Sequence, residues 1–301
     1  MPQFTDGATD VLHVGIQDSN HTIENSHVVQ FVMRIAMLCW RHLRSIEWLA
    51  PKGRAAAFAL FVISLTAISA PHHNATADDA APAYQPGWVE VWAGADAASH
   101  TWLVFSGVTV SPFSNVYENG LRLRVSGGYG GYVYTGERRS ELHTFTARTS
   151  YAEALAGYLM RLGPVTAKAF AGVTAIEHDI APYDPDNPVQ GQEIGPKVVA
   201  ELWINMGASA WGQVDASWTS AHNTSGARVR TGYRVWKDTS IGIEGALHAN
   251  DMGEDLRGGL FTRFAWNGGE FSIAGGYSGR FLEEAKELKD PYATATLLLQ
   301  F

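Results

Sequence analysis

The chain has 301 residues, of which 46% are hydrophobic and 17% are charged. With 22 basic against 30 acidic residues the net charge is −8, so the broad positive surface typical of nucleic-acid-binding proteins is missing. A single cysteine excludes a disulfide framework and a cysteine-based zinc site, and ordinary hydrophobicity argues against wholesale disorder.

A leader segment precedes the patterned part of the chain. Residues 55–70 form an apolar run. Basic residues stand before this run and small residues that suit cleavage follow it, namely Arg41, Arg44, Lys52 and Arg54 before it and Ala70 and Ala77 after it. This order predicts a signal peptide over 37–78 and a linker over 79–87, with 1–36 as a start-site artefact or a disordered extension. The alternative is a membrane-spanning helix, for which the run is shorter than the roughly 20 residues that a bilayer requires.

In the rest of the chain, apolar and polar residues alternate with period two, which is typical of β-strands. Leu121, Leu123 and Val125 share one face of such a segment, whereas Arg122 and Arg124 share the other. The pattern predicts about twelve strands, over 88–97, 101–110, 119–134, 142–161, 165–178, 194–205, 208–219, 224–236, 239–249, 254–266, 269–280 and 290–301.

Strand length and connection length both favour a membrane barrel. Several segments exceed the five or six residues typical of soluble strands and match the about 9–11 residues with which a tilted strand crosses a bilayer. If both termini face the periplasm, connections after even-numbered strands should be short and those after odd-numbered strands long. Short turns follow the fourth, eighth and tenth strands, at 162–164, 237–239 and 267–269. Long loops follow the fifth and eleventh strands, at 180–193 and 282–290. The linker 112–119 after the second strand fits this rule poorly.

The end of the chain adds a further indication. Leu297, Leu299 and Phe301 share one face of the last strand, and such an ending resembles the assembly signal of outer-membrane barrels. The predicted fold is therefore all-β, an outer-membrane antiparallel β-barrel of about 10–12 strands over 88–301, surrounded by outer-membrane lipid. A soluble periplasmic β-sandwich is the alternative.

Apolar residues facing lipid would leave the charged residues of the strands on the inner wall, because a charge near the bilayer midplane costs about 2–4 kcal/mol. The basic residues assigned to this wall are Arg122, Arg124, Lys168, Lys197, Arg228, Arg230, Arg234, Arg257 and Arg263, and the acidic ones are Glu90, Asp96, Glu201, Asp215 and Glu244. Two interpretations stay open: a salt-bridged network that braces a narrow lumen, and a mildly basic conduit that favours anions or polar sugars.

Tryptophans near the strand ends suit the aromatic girdles of a membrane interface. Four tryptophans, three of which also lie near strand ends, fall on the polar parity, where an indole ring could stack against sugar rings. The predicted lumen or polysaccharide contacts are Trp92, Lys197, Glu201, Trp203, Trp211, Arg228, Arg230, Arg234 and Trp236.

No catalytic, cofactor or metal site is predicted. Ser220 or Ser225 near His222 is the best nucleophile–base candidate, but no motif joins them. A predicted extracellular loop carries Asp184, Asp186 and Asn187, without the glycine and the ligand spacing of an EF-hand. A barrel enzyme that modifies envelope lipid or polysaccharide stays an alternative.

One loop and the strand after it, residues 180–203 (IAPYDPDNPVQGQEIGPKVVAELW), closely resemble the BcsS family of bacterial cellulose biosynthesis proteins. The resemblance continues through WVEVWAGAD (88–96), LRVSGGYGGYVY (123–134) and RVRTGYRV (228–235). It implies a role accessory to secretion of cellulose or a related exopolysaccharide at the outer membrane. The expected partners are cellulose or another glucan and, for a scaffold, components of the cellulose synthase complex. It implies no catalytic residues, and a conduit and a scaffold stay separate hypotheses.

Overall fold

A computed structural model of the chain describes residues 87–138, 141–279 and 290–301. The predicted extension, signal peptide and most of the linker, together with loop residues 282–289, lie outside the described residues.

Twelve antiparallel strands form a closed barrel in which each strand pairs with the next along the chain. The strands are β1 (Val89–Ala98), β2 (Thr101–Val110), β3 (Gly120–Arg138), β4 (Glu141–Leu162), β5 (Val165–Ala181), β6 (Gly191–Met206), β7 (Ala210–Thr219), β8 (Ser225–Arg234), β9 (Thr239–Asn250), β10 (Gly253–Trp266), β11 (Gly269–Gly279) and β12 (Asp290–Gln300), with a short 3-10 turn at Ala221–Asn223. Among these residues no helix is long and apolar enough to span a membrane.

The first and last strands close the ring. Glu90 is opposite Gln300 in the β1–β12 register. Val89 and Phe301 exchange two backbone hydrogen bonds, of 3.1 and 2.8 Å. A ring of twelve strands with both edges paired confirms the predicted barrel and is incompatible with an open β-sandwich.

The outer surface of the barrel is apolar, as expected for a barrel in lipid. Val125, Ile243 and Leu260 are each more than 60% exposed on this surface. Within the described strands, the register puts every charged residue on the inner wall except five near one end of the barrel, namely Glu137, Arg148, Glu177, Asp179 and Glu254. The alternation of the sequence therefore has the orientation that lipid requires.

The two ends of the barrel differ in their connections. The terminus end carries Val89 and Phe301 together with the tight turns 163–164, 207–209, 235–238 and 267–268, and the opposite end is called the far end. The predicted rule of long far-end loops holds at 182–190 but not at 99–100 and 251–252, which are tight turns. Strand pairing constrains register rather than loop length, so alternation of short and long loops is a weak rule here.

Arg122 explains why the terminus end tolerates one long loop, 111–119. Its side chain is 2% exposed, and its guanidinium donates hydrogen bonds to the hydroxyls of Ser111 and Ser114 at 2.7 and 3.1 Å. It also donates to the backbone oxygens of Asn115 and Glu118 at 3.0 and 2.6 Å. A buried arginine thus replaces the hydrogen bonds that a strand would supply to this loop.

Candidate functional site

The inner wall is the candidate functional site. In a barrel, every second side chain of each strand faces the interior. The nine basic and five acidic residues assigned to the inner wall from the sequence all have this parity, from Glu90 on β1 to Arg263 on β10. The polar groups of twelve strands therefore meet in one enclosed space.

One ion-pair network joins β1, β3, β5 and β6. Arg124 donates to Glu201 at 2.6 Å. The Lys168 ammonium lies 3.5 Å from the carboxylates of both Glu90 and Glu201. Because β1 and β5, and likewise β3 and β6, are not neighbours in the barrel, these contacts cross the lumen. Glu201 thus joins β6 to the neighbouring β5 through Lys168 and to β3, three strands away in the ring, through Arg124.

A second network occupies the other half of the ring. Arg230 contacts Glu244 at 2.7 Å, and the Tyr292 hydroxyl donates to the same carboxylate at 2.8 Å. Arg257 on β10 donates to Asp96 on β1 at 2.8 Å. The Arg230 and Glu244 side chains are 6% and 5% exposed, so this pair is almost fully removed from water.

Lys197 and Arg228 also have acidic partners. Lys197 pairs with Glu153, whose other oxygen accepts a hydrogen bond from Ser126 at 2.6 Å. Arg228 contacts Asp215 at 2.7 Å, and this pair keeps more exposure than the Arg230 pair. Three of the four predicted basic contacts of the lumen are therefore engaged with carboxylates of the barrel itself, Arg234 being the exception.

An aromatic cluster fills the lumen toward the terminus end. The ring of Trp211 is buried, lies 5.4 Å from that of Phe261, and donates from its indole nitrogen to Ser240 at 3.2 Å. Trp203 stacks on Trp211 with ring centres 4.2 Å apart, and Arg263 lies 5.0 Å from the Trp203 ring. Trp203 is half-buried, so its ring is the one in this stack that a ligand can reach.

Inward-facing glycines make room for these rings. A methyl group at Gly232 would overlap the indole of Trp211. A methyl group at Gly107 would likewise overlap Trp92, which also lies 5.1 Å from the Arg124 guanidinium. Trp92 thus stands on the inner wall, on the opposite side of the ring from Trp211.

Two further predicted contacts lie at the rim of the terminus end. Arg234 is the last residue of β8 and donates to the backbone oxygen of Ala208 at 3.0 Å. Trp236 lies in the turn after β8 and is 71% exposed, so the structure does not place it on the lumen wall. The strand predicted over 224–236 ends two residues earlier, which is why simple counting assigned Trp236 to the interior.

Loop 182–190, here called the far-end lid, reaches across the opposite mouth. The Tyr134 hydroxyl donates to Asp184 at 2.6 Å and accepts from the Asn187 amide at 2.7 Å. The same amide donates to the Met252 sulfur at 3.2 Å. Tyr134 is on β3 and Met252 is in the β9–β10 turn, on the other side of the ring, so the lid connects opposite walls.

An apolar cluster lies beneath the lid. Phe145, Ala147 and Ile180 are buried there, and Tyr132 and Tyr134 pack against them. The rings of Tyr134 and Phe145 are stacked with centres 5.1 Å apart. The sequence analysis did not predict this apolar cluster. Both tyrosines alternate in phase with Arg122 and Arg124 on β3, and this phase indicates that they face the interior.

The predicted loop residues Asp184, Asp186 and Asn187 organise the lid. Asp184 accepts a hydrogen bond from the Asp186 backbone at 3.4 Å, and Asn187 accepts one from the Val189 backbone at 3.0 Å. Such bonds are typical of Asx turns. Within the three described segments, no three His, Cys, Asp or Glu side chains are grouped closely enough to hold a metal ion.

The candidate nucleophile–base pair does not form. His222 is buried, and neither of its ring nitrogens has a hydrogen-bond partner, so neither Ser220 nor Ser225 is activated by it. The nucleophile–base contact that acyl transfer requires is thus lacking between these residues.

Comparison with known proteins gives one family. The sequence matches the family described as "Cellulose biosynthesis protein BcsS" over residues 90–301. Among curated proteins the search found no significant match.

Several solved structures are similar in fold. A KdgM porin is 8% identical, with a TM-score of 0.42 over 70% of this chain and 99% of the porin. The translocator domain of autotransporter NalP from Neisseria meningitidis is 12% identical, with a TM-score of 0.40 over 82% and 97% of the two chains. An outer membrane channel from Pseudomonas putida F1 is 11% identical, with a TM-score of 0.42 over 75% and 100%.

Proposed function

The chain belongs to the cellulose biosynthesis protein BcsS family, and from this membership we propose that it is an accessory protein of cellulose or related exopolysaccharide secretion, resident in the bacterial outer membrane and without catalytic activity. The apolar outer surface of the closed barrel supports contact with outer-membrane lipid. The termini and tight turns would face the periplasm, and the far-end lid the cell exterior.

Within that role we favour a scaffold over an open conduit. The observation that carries this choice is the pairing of charges across the lumen: Arg124 with Glu201, Lys168 with Glu90, and Arg257 with Asp96. Barrels of about eight strands are filled by side chains, and those of about sixteen leave an aqueous channel. A twelve-strand ring lies between these cases, so the contacts within its lumen decide how open it is.

A conduit is the second candidate, and one observation favours it. Trp203 presents a half-buried ring that is fixed from behind by Trp211 and lies beside the Arg263 guanidinium. A rigid indole face with a hydrogen-bond donor nearby suits a sugar ring. A glucan chain that enters from the periplasm would meet this face first.

The experiment measures cellulose secretion by deletion and complemented strains, and the conductance of the barrel purified from them. Deletion of the chain should reduce extracellular cellulose, and the wild-type barrel should restore it. In planar bilayers, the purified barrel should conduct far less than a sixteen-strand porin and should be insensitive to soluble cello-oligosaccharides. A large conductance that cello-oligosaccharides block in the wild type but not in Trp203→Ala would replace the scaffold by the conduit.

Partner capture tests the scaffold directly. Cellulose synthase components should co-purify with the wild-type barrel from cross-linked envelopes. Their capture should be lost when the 207–209 and 235–238 turns, proposed to face the periplasm, are replaced by glycine–serine turns of equal length. Unchanged capture from such a correctly folded variant would count against these turns as the contact surface.

The enzyme alternative predicts a different result. If His222 served as a base, then His222→Ala would abolish a chemical change in envelope lipid or polysaccharide while the barrel stayed folded. We expect identical envelope extracts from the variant and the wild type.

A further inference from the structure

His222 is in an unusual state for a buried histidine. Its side chain is 1% exposed, and both ring nitrogens are buried without a hydrogen-bond partner. Its backbone has φ 48° and ψ 27°, the left-handed region that non-glycine residues rarely adopt. Both features are uncommon: unusual backbone conformations cluster at ligand sites, and a bound ion is one explanation of buried polar atoms without partners.

A second histidine faces the first. The rings of His178 and His222 are nearly perpendicular, at 80°, with centres 5.1 Å apart. An imidazole bound to a metal at about 2.0 Å puts its ring centre roughly 3.2 Å from the ion. Two such rings at a near-tetrahedral angle have centres about 5.2 Å apart. The observed separation therefore suits two imidazoles that bind one ion.

The same nitrogen of each ring, Nδ1, lies toward a polar side chain. Nδ1 of His178 lies 3.2 Å from the Tyr132 hydroxyl. Nδ1 of His222 lies 3.8 Å from the Glu193 carboxylate. Histidines that bind metals generally direct the second ring nitrogen to a carboxylate, carbonyl or other polar partner, which fixes the tautomer. Nε2 is thus the candidate ligand atom of both residues.

Met252 is the candidate third donor, although its sulfur also accepts a hydrogen bond from the Asn187 amide at 3.2 Å. Its sulfur lies 3.9 Å from the same Tyr132 hydroxyl that contacts His178, and the backbone nitrogen before it, that of Asp251, donates to the His222 oxygen at 3.2 Å. Thioether and imidazole together favour Cu(I), which also accepts a low coordination number. Zinc, calcium and magnesium sites use more ligands or oxygen ligands instead.

We propose that His178, His222 and Met252 form a Cu(I)-binding site beneath the far-end lid. The site joins β5, the turn after β7 and the β9–β10 turn, so a bound ion would hold three parts of the far-end mouth together. It is independent of the proposed role in cellulose secretion.

The test is anaerobic Cu(I) titration of the purified full barrel in detergent, with its affinity tag removed, against a chromogenic Cu(I) chelator. We expect one equivalent of Cu(I) per chain. His178→Gln and His222→Gln should each weaken binding by about 100-fold, and Tyr132→Phe, which removes the hydroxyl beside both His178 and the Met252 sulfur, by about tenfold. His248→Gln is the matched control, since His248 lies on the inner wall outside the pair and its loss should leave binding unchanged.

Spectroscopy and folding controls make the outcome decisive. X-ray absorption at the copper edge should show a sulfur neighbour in the wild type that is lost in Met252→Leu. Each variant is first checked for the folded-barrel mobility shift on unheated gels. Cu(I) binding by the folded wild type that equals that of the His178→Gln/His222→Gln double variant would overturn the proposal. Equally tight Zn(II) binding at these histidines would overturn the assignment to Cu(I).

Discussion

At the terminus end, the lumen is filled by side chains of the strands themselves, such as Trp211 and Phe261, whereas at the far end it is crossed by a loop held through Tyr134 and Asn187. The first closure is apolar and continuous with the wall. The second is a separate loop that packs on a small apolar cluster and is joined to the wall by side-chain hydrogen bonds, which water can replace. The difference indicates that the terminus end contributes stability and that the far end is the part able to open.

Trp211→Ala should have the largest effect. The residue is 1% exposed and packs against Trp203 and Phe261, so its loss should lower the free energy of unfolding by about 3–5 kcal/mol. Urea unfolding in lipid vesicles, followed by the gel mobility shift, measures this value. Trp236→Ala is the control, because that exposed turn residue should contribute no more than about 0.5 kcal/mol.

Glu244→Gln should have the next largest effect. It leaves the Arg230 guanidinium buried without its counter-charge, at a cost of about 3 kcal/mol in the same assay. The Arg230→Met/Glu244→Gln double variant should recover much of that loss, because no unpaired charge remains. Glu254→Gln, on the outer face of β10, is the matched control. Equal losses in the single and double variants would contradict this explanation.

Tyr134→Phe should act on the far end alone. The change removes the hydroxyl that binds Asp184 and Asn187, so the lid should open more often, with a loss of about 1–3 kcal/mol in local stability. We expect higher single-channel conductance and faster proteolysis within 182–190, with little change in global unfolding. Tyr129→Phe, on the outer face of β3, should change neither property. If Tyr134→Phe lowered global stability and did not raise conductance, the far end would contribute to stability as the terminus end does, and the proposed difference between the two ends would be wrong.

Asp215→Asn should have the smallest effect. Its partner Arg228 is 34% exposed, and solvent screening limits the contribution of such a pair to about 1 kcal/mol or less. The variant should instead shift the ion selectivity of any residual current toward anions, because it leaves one more unpaired positive charge in the lumen. Reversal potentials in a salt gradient test this shift.

Strand periodicity made the wall of this barrel predictable. Once Leu123 and Val125 are assigned to lipid, the period of two assigns Arg124 to the lumen. Partner choice could not be predicted in the same way, because Arg124 meets Glu201 from a strand three places away in the ring. That contact depends on strand tilt and stagger, which a single sequence does not reveal.

The far end was less accessible to sequence reasoning for a different reason. The sequence predicts an external connection over 180–193, but the contacts of the lid 182–190 within it with Tyr134 and Met252 are set by tertiary structure. Loops have no periodicity that indicates which way they fold. The left-handed backbone of His222 likewise had no signal in the sequence.

The carboxylates of β1 have a consequence for assembly. Glu90 meets Lys168 on β5, and Asp96 meets Arg257 on β10, so the first strand to be made depends on partners translated much later. In an unclosed sheet Asp96 and Arg257 stay apart, because β1 approaches β10 only across the β1–β12 seam. A seam that closed out of register would move Asp96 away from Arg257 and leave both charges without this partner, at a cost of several kcal/mol. The ion pair between Asp96 and Arg257 therefore stabilises the correct β1–β12 pairing relative to pairings that are out of register.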